Sequence, residues 1–185
     1  MDPIQLLLTR KSHNKLVAPA PTDEQLEVMF KAALRAPDHA LLRTWRYRIY
    51  TGEGLDFLGD CFVKASKNTN PSLSQDKIDK IKNKPKRAPM VIVASVCVVE
   101  HPKVPKIEQV LSAGASVQNL LMAAHFQTVG AIWRTGTLAF DRYLMNCLDM
   151  KDNEEIVGFI YLGTEQGEKR KAKEFDISDY VTRID

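Results

Sequence analysis

Cysteine and histidine are scarce in this 185-residue chain, and their spacing excludes two kinds of site. The three cysteines, Cys61, Cys97 and Cys147, form no CxxC pair, and their odd number argues against a disulfide framework. The four histidines match no metal-ligand spacing, and the sequence contains no HExxH. We therefore expect neither a structural disulfide nor a catalytic metal, and we expect a reducing, cytoplasmic setting.

Long apolar runs are also missing. The longest stretch without Lys, Arg, Asp or Glu covers residues 109–133, and it still carries serine, glutamine, asparagine and histidine side chains. Too many polar groups lie there for a membrane-spanning helix. The start, Met1-Asp2-Pro3, lacks the basic and apolar regions of a signal peptide. With 44% hydrophobic and 26% charged residues, the composition predicts one globular domain over residues 1–185.

The familiar catalytic motifs are absent as well. The chain has no Walker loop and no GxSxG, so a phosphate loop of that kind and a serine nucleophile have no support. Gly52-Glu53-Gly54 begins like a dinucleotide-binding loop, but Phe57 occupies the position of the third glycine. We interpret this segment as a tight turn.

Positive charge is concentrated in one segment. The net charge of the chain is +3, whereas residues 64–87 contain eight Lys or Arg and only Asp76 and Asp79, which gives +6 for that segment. Such a segment is typical either of a nucleic-acid surface or of a solvated helix and loop. The second interpretation is favoured, because Phe62 is the only aromatic residue nearby and base stacking needs more. We expect no nucleic-acid partner.

Hydrophobic spacing and capping signals predict helices alternating with about four strands, which indicates an α/β or α+β sheet. The predicted helices cover residues 3–9, 22–36, from 55, 74–84, 107–127 and 141–148, and the predicted strands cover 45–50, 89–99, 129–133 and 156–162. Apolar residues surround helix 107–127, which predicts a buried helix. Its small residues 112–116 would let a partner backbone approach closely.

Three segments are hard to explain by packing alone. Arg10-Lys11-Ser12 offers two cations and a hydroxyl that could hold a phosphate. Arg35-Ala36-Pro37-Asp38-His39 places polar groups between a helix and a strand. In Gly130–Gly136, Trp133 and Arg134 stand where a core strand ends.

The order of these segments resembles the nitroreductase family of FMN-dependent oxidoreductases, most closely its compact YdjA-like branch. The resemblance covers nearly the whole chain. Besides the three segments above, it rests on three further blocks in the same order: Lys103-Val104-Pro105, Ser112-Ala113-Gly114 and Val157–Gly163.

The resemblance implies an α+β nitroreductase-like fold, with a central mixed sheet of four to five strands surrounded by helices. It also implies a homodimer that binds two FMN molecules at its interface. By the family pattern, Arg10, Lys11 and Ser12 hold the phosphate and ribityl end. Arg35 and His39 reach FMN from the partner chain, and Trp133, Arg134 and Thr135 lie along the flavin ring.

The activity implied is NAD(P)H-dependent reduction of a small-molecule acceptor, a nitroaromatic or quinone, by ping-pong hydride transfer through the flavin. No catalytic side chain is expected, because the cofactor carries the hydride. Two alternatives stay open: a flavin store or sensor without turnover, and a nucleic-acid-binding protein that uses residues 64–87. The sequence departs from the family pattern at two places. Arg43-Thr44-Trp45 replaces a Pro-Trp pair, and Ile107 replaces a tryptophan. Both departures bear on substrate preference.

Overall fold

A computed structural model describes residues 2–167 and 175–184 of the chain. In this part it contains six α-helices and five strands. The helices are α1 (Pro3–Thr9), α2 (Asp23–Ala33), α3 (Glu53–Thr69), α4 (Gln75–Lys82), α5 (Lys106–Phe126) and α6 (Arg142–Cys147). The strands are β1 (Leu16–Val17), β2 (Trp45–Thr51), β3 (Met90–Cys97), β4 (Gly130–Arg134) and β5 (Glu154–Glu165).

Side-chain caps fix where several helices begin. The Thr22 hydroxyl accepts from the Gln25 amide at 3.3 Å, and the Gln25 side chain accepts from the Thr22 amide at 3.0 Å. This reciprocal pair satisfies two amides that the first turn of α2 leaves without partners. Asp2 and Asp141 cap α1 and α6 in a similar way, each through one carboxylate oxygen.

The strands form one sheet in which β5 is the central element. β3 and β4 pair with the same part of β5, so they lie on its opposite edges, and β2 pairs with the outer edge of β3. The two-residue strand β1 pairs with the end of β5. The predicted α+β fold and the upper strand count are confirmed. The pairings between described strands are all antiparallel rather than mixed, and β1 is too short to show a period in the sequence.

Helices cover both faces of the sheet. On one face, α3 and α6 pack on β3 and β5, and the ring of Phe62 meets that of Phe159 edge to face at 5.2 Å. On the other face, α2 and α5 bury Met29 and Leu120 completely against the same strands. Side chains alternate between the faces along each strand, so neighbouring residues enter different cores.

Helix α4 lies close to α3 at Gly59. A Cβ atom at that position would overlap the backbone carbonyl of Lys82, at the last residue of α4. The glycine therefore lets the two helices approach each other more closely than any other residue would allow.

Helix α5 is only partly buried, so the prediction of a helix buried on all sides was wrong. Ile107, Leu111 and Phe126 are each about 60% exposed (60%, 64% and 61%). These apolar residues form one uncovered face, which also includes the half-buried Gly114 and Ala115. Within residues 2–167 and 175–184, no helix is both long and apolar enough to cross a bilayer.

Candidate functional site

Basic groups from two distant parts of the sequence, residues 10–13 and His125, meet beyond the end of α1. The Thr9 hydroxyl lies 3.1 Å from Nε2 of His125, near the end of α5. Burial lowers the pKa of His125, and the charges of His13, Arg10 and Lys11 lower it further. Each of these groups therefore lies close enough to His125 to disfavour its protonated form. We call Arg10, Lys11, His13 and His125 the cationic cluster.

His13 attaches this cluster to the sheet. Its amide donates to the carbonyl of Ala131 at 3.0 Å, and its Nδ1 accepts from the Ala131 amide at 3.2 Å. The backbone of Ala131 therefore points away from β5, toward the outer edge of β4. In an antiparallel pair this orientation repeats every second residue, so the amide and carbonyl of Trp133 point the same way.

Lys11 and His13 of the cationic cluster border a hollow of about 350 Å³ between residues 11–15 and the end of β5. Lys11, Ser12 and Lys15 lie on one side, and Glu165 lies on the other. Glu165 is 3.7 Å from the Lys11 ammonium and 3.4 Å from Nε2 of His13, so it offsets part of the positive charge. The hollow remains a cationic site with a hydroxyl beside it.

Trp133 and Arg134 extend to opposite faces of β4. Trp133 packs toward α5, and its indole N–H donates to the carbonyl of Val157 at 3.2 Å. The guanidinium of Arg134 lies over the ring of Tyr161 on the α3 face, 5.9 Å from the ring centre. One flat ligand cannot rest on both side chains, and of the two residues only Trp133 presents its amide and carbonyl to the outer edge of β4.

An apolar groove of about 740 Å³ runs between α5 and the β4–β5 pair. Gly114 and Ala115 of α5 form one wall with Leu111, while Trp133 and Val157 contribute to the opposite side. A Cβ atom on Gly114 would lie 3.8 Å from the Trp133 ring, which is an ordinary contact. Small residues on α5 therefore leave room over the tryptophan.

His39 lies at the other side of the exposed α5 face. Its Nδ1 is 2.7 Å from a carboxylate oxygen of Glu108, and the shallow hollow beside it shares Leu111 and Ala115 with the apolar groove. Arg35 follows α2 and is exposed. Of the two predicted partner-facing residues, His39 therefore lies beside the α5 face that the described residues leave exposed.

The loop that carries His39 holds an unusual backbone. Ala40, Leu41 and Arg43 all have positive φ angles of 59°, 53° and 51°. Such angles disfavour residues with a Cβ atom, and they cluster at functional sites. The Asp38 carboxylate accepts from the Arg43 amide at 2.7 Å and helps to hold this conformation.

The structure distributes the eight predicted site residues over several places. Lys11 and Ser12 line the cationic hollow next to Arg10, Trp133 borders the apolar groove, and His39 borders the shallow hollow at α5. Arg134 and Thr135 line a separate cavity beside the end of β4, and Arg35 lines none of these hollows. The sequence does not single out His13 and His125. They contact Ala131 and Thr9, which lie 118 and 116 positions away along the chain, and no local pattern predicts such contacts. Within the described residues, no three His, Cys, Asp or Glu side chains are arranged to hold a metal ion.

Known proteins of similar sequence and structure identify the family. The sequence model of the nitroreductase family matches residues 7–164. YdjA of Escherichia coli K12, provisionally named an NAD(P)H nitroreductase, is 39% identical over 167 residues, or 90% of each chain. A nitroreductase-like family protein from Bacillus cereus superimposes with a TM-score of 0.84 at 19% identity, covering 100% of this chain and 96% of that one. A Bacteroides fragilis nitroreductase solved with bound FMN gives 0.75 at 16% identity over 100% of both chains. The chain belongs to the nitroreductase family.

Proposed function

We propose that this protein is an FMN-dependent oxidoreductase that uses NAD(P)H to reduce nitroaromatic or quinone-type acceptors. One observation carries the proposal: His13 bonds to Ala131, which ties the cationic cluster to the outer edge of β4 two residues before Trp133. The proposed phosphate site is therefore connected through β4 to Trp133, which borders the apolar groove.

The residues that follow α1 fit the phosphate of FMN. Arg10, Lys11 and Ser12 supply two cations and a hydroxyl, the groups that bind phosphate by charge-assisted hydrogen bonds. The pKa of His125 is lowered by burial and by the charges of His13, Arg10 and Lys11, so the region carries positive potential that an anion would relieve.

The residues that line the apolar groove fit a flat, mostly apolar ring. Trp133 and Gly114 border a groove whose lining is largely apolar. The amide and carbonyl of Trp133 point to the outer edge of β4, as those of Ala131 do. When bound, FMN supplies the chemistry of accepting a hydride from NAD(P)H and passing electrons to an acceptor. Backbone amides at this edge would stabilise the negative charge of the reduced cofactor.

The groove walls would exclude water from the reacting atoms. A second copy of the chain completes them in this proposal, because Ile107, Leu111 and Phe126 are exposed on α5 and His39 lies beside this face. The partner's copies of Arg35 and His39 would then reach the cofactor. The three unpaired cysteines support a reducing, cytoplasmic setting for this homodimer.

Steady-state kinetics test the proposal. NAD(P)H and 1,4-benzoquinone are varied against each other with FMN-loaded protein, and parallel double-reciprocal lines are expected because both reactants use one site in turn. The same matrix is repeated with nitrobenzene. A protein that retains FMN but oxidises neither NADH nor NADPH with any acceptor would instead be a flavin store or sensor.

A further inference from the structure

The basic segment of residues 64–87 divides into two sets of side chains. Lys82 and Lys86 form ion pairs of 2.7 and 2.6 Å with Asp60 and Asp56 of α3, so they hold α4 and the following turn against α3. Lys84 and Arg87 instead line a cavity of about 510 Å³ beside the end of β4. The sequence alone does not separate these two sets.

Arg134 brings a third cation to this cavity. Its guanidinium lies over the Tyr161 ring, and Arg87 and Arg134 both act electrostatically on the Tyr161 phenol. Within residues 2–167 and 175–184, no carboxylate forms an ion pair with Lys84, Arg87 or Arg134. Three cations therefore line one cavity, and no carboxylate among the described residues is paired with any of them.

Tyr161 adds a hydroxyl group to the lining of this cavity. It lines the cavity, is only 4% exposed, and has no hydrogen-bond partner for its hydroxyl among the described residues. Burial raises its pKa, so the phenol stays protonated and can donate a hydrogen bond. Burial and the charge of Arg87 lower the pKa of Lys84. An anion bound between Lys84 and Arg87 would raise this pKa again.

The cavity lies next to the proposed reaction site. Trp133 borders both this cavity and the apolar groove, and Thr135 and Gly136 continue from β4 along the cavity wall. A volume of about 510 Å³ suits a single-ring molecule better than a dinucleotide, since sites for drug-sized ligands span about 300–1,000 Å³.

We propose that Lys84, Arg87, Arg134 and the Tyr161 hydroxyl bind the oxyanion of an acidic acceptor, such as an aromatic carboxylate, and hold its ring beside the end of β4. The proposal rests on the proposed function, because it names the class of acceptor that this enzyme reduces. A preference for acidic acceptors follows from it.

The test compares 4-nitrobenzoate with the neutral 4-nitrobenzamide. Calorimetry measures the binding of each to the oxidised, FMN-loaded protein without NAD(P)H, and steady-state assays then measure kcat/KM for each. We expect the carboxylate to bind at least about tenfold more tightly, the scale of a hydrogen bond to a charged group. The ratio between the two should fall toward one in the Lys84→Met/Arg87→Met double variant.

Lys86→Met is the matched control, because Lys86 belongs to the same turn but is paired with Asp56 outside the cavity. It should keep the native ratio. Arg87→Met, which changes only an exposed side chain, replaces the double variant if that variant does not fold. Equal binding of the two compounds by the native protein, or an unchanged ratio in the variant, would overturn the proposal.

The two readouts separate this proposal from the proposed function. Selective binding of the carboxylate without turnover would contradict the enzyme activity and leave the anion site standing. Turnover of both compounds with equal binding would leave the enzyme activity standing and remove the anion site.

Discussion

The indole N–H of Trp133 donates to the carbonyl of Val157 at 3.2 Å. Val157 is the extra residue of β5 where its register with β3 shifts between Ala94 and Ser95. A bulge of this kind leaves backbone groups outside the regular ladder. The tryptophan satisfies one of them, and the bond fixes the ring at the side of the groove. The Trp133 ring, which is prominent in the sequence, is therefore held in place by a β-bulge that the sequence pattern does not predict.

Gly158 makes room for that ring. A Cβ atom there would overlap the Trp133 indole nitrogen, so Gly158→Ala should displace the ring, weaken FMN binding and destabilise the fold. Overpacking of this kind costs about 1–3 kcal/mol. Urea unfolding and a fluorescence titration with FMN measure the two effects.

Gly54→Ala is the control for that substitution. Gly54 lies inside α3, and a Cβ atom there would lie 3.7 Å from the Tyr50 ring, which is an ordinary contact. It should leave FMN affinity unchanged and stabilise the helix by up to about 1 kcal/mol. Equal effects of the two substitutions on FMN binding would show that Gly158 does not act through Trp133.

The pKa of His125 should rise when FMN binds. In the protein without FMN, burial and the charges of His13, Arg10 and Lys11 hold this pKa below its usual value. A phosphate beside these groups favours the protonated imidazole. Because the bound state then has the higher pKa, FMN affinity should decrease as the pH rises through it.

NMR titration of the His125 ring with and without FMN measures the change. Riboflavin, which lacks the phosphate, serves as the control ligand and should leave the pKa where it is. A His125 pKa that does not move with FMN would place the phosphate elsewhere.

Arg10→Ala should weaken FMN binding about tenfold or more, the scale of a lost hydrogen bond to a charged group.

The carboxylate of Glu154 should stabilise the fold at neutral pH and lose this effect at acidic pH. It is 2% exposed and accepts hydrogen bonds from Arg48 and from the Ser95 hydroxyl, the latter at 2.5 Å. Burial alone would raise its pKa, but these bonds outweigh burial and hold the pKa below its usual value. The stabilisation is therefore complete above the pKa of the unfolded chain, and it is lost as the pH falls through the folded-state pKa.

Glu154→Gln should lower the free energy of unfolding at pH 7 by about 2–3 kcal/mol. The difference from the native protein should shrink toward pH 3, as measured by urea unfolding. Glu155→Gln is the neighbouring control, because Glu155 forms a largely exposed pair with Lys106, and it should cost less than about 1 kcal/mol. A loss that is equal at both pH values would argue against the charge of Glu154 as its cause.

The exposed α5 face should form the dimer interface. Leu111→Lys places a charge on this face, and Gly114→Leu fills the space beside it. Each should weaken dimerisation about tenfold or more, because losing one buried leucine costs about 1.5–3 kcal/mol and overpacking costs about 1–3 kcal/mol. Sedimentation equilibrium measures the change. Val28→Lys, at a 48% exposed position of α2, is the control and should not affect assembly. A dimer of unchanged stability in both α5 variants would place the interface elsewhere.

Much of the fold could be predicted because its signals are local. Thr22 and Gln25 form a capping box four residues long, and α1 lies over residues 3–9 as predicted. The site could be predicted only in part. Trp133 and Arg134 are prominent in the sequence, but strand alternation sends them to opposite faces. The contact of His13 with Ala131 spans 118 residues, and no local pattern encodes it.

Likewise, the burial of α5 could not be judged from its composition. A helix that is apolar on all sides can face its own core or another chain, and the sequence is the same in both cases. The exposure of Leu111 depends on which elements the fold places beside it. Lys84 and Lys86 differ for the same reason, since a single turn directs one to a cavity and the other to Asp56.

The central claim is that this chain binds a flavin that NAD(P)H can reduce. An absorbance spectrum of the purified protein from about 300 to 550 nm, recorded before and after NADPH or NADH is added without oxygen, tests it most directly. We predict flavin bands that bleach rapidly with one of these nucleotides and return when benzoquinone is added. Bands that persist with both nucleotides, or no bands even after FMN is supplied, would contradict the claim.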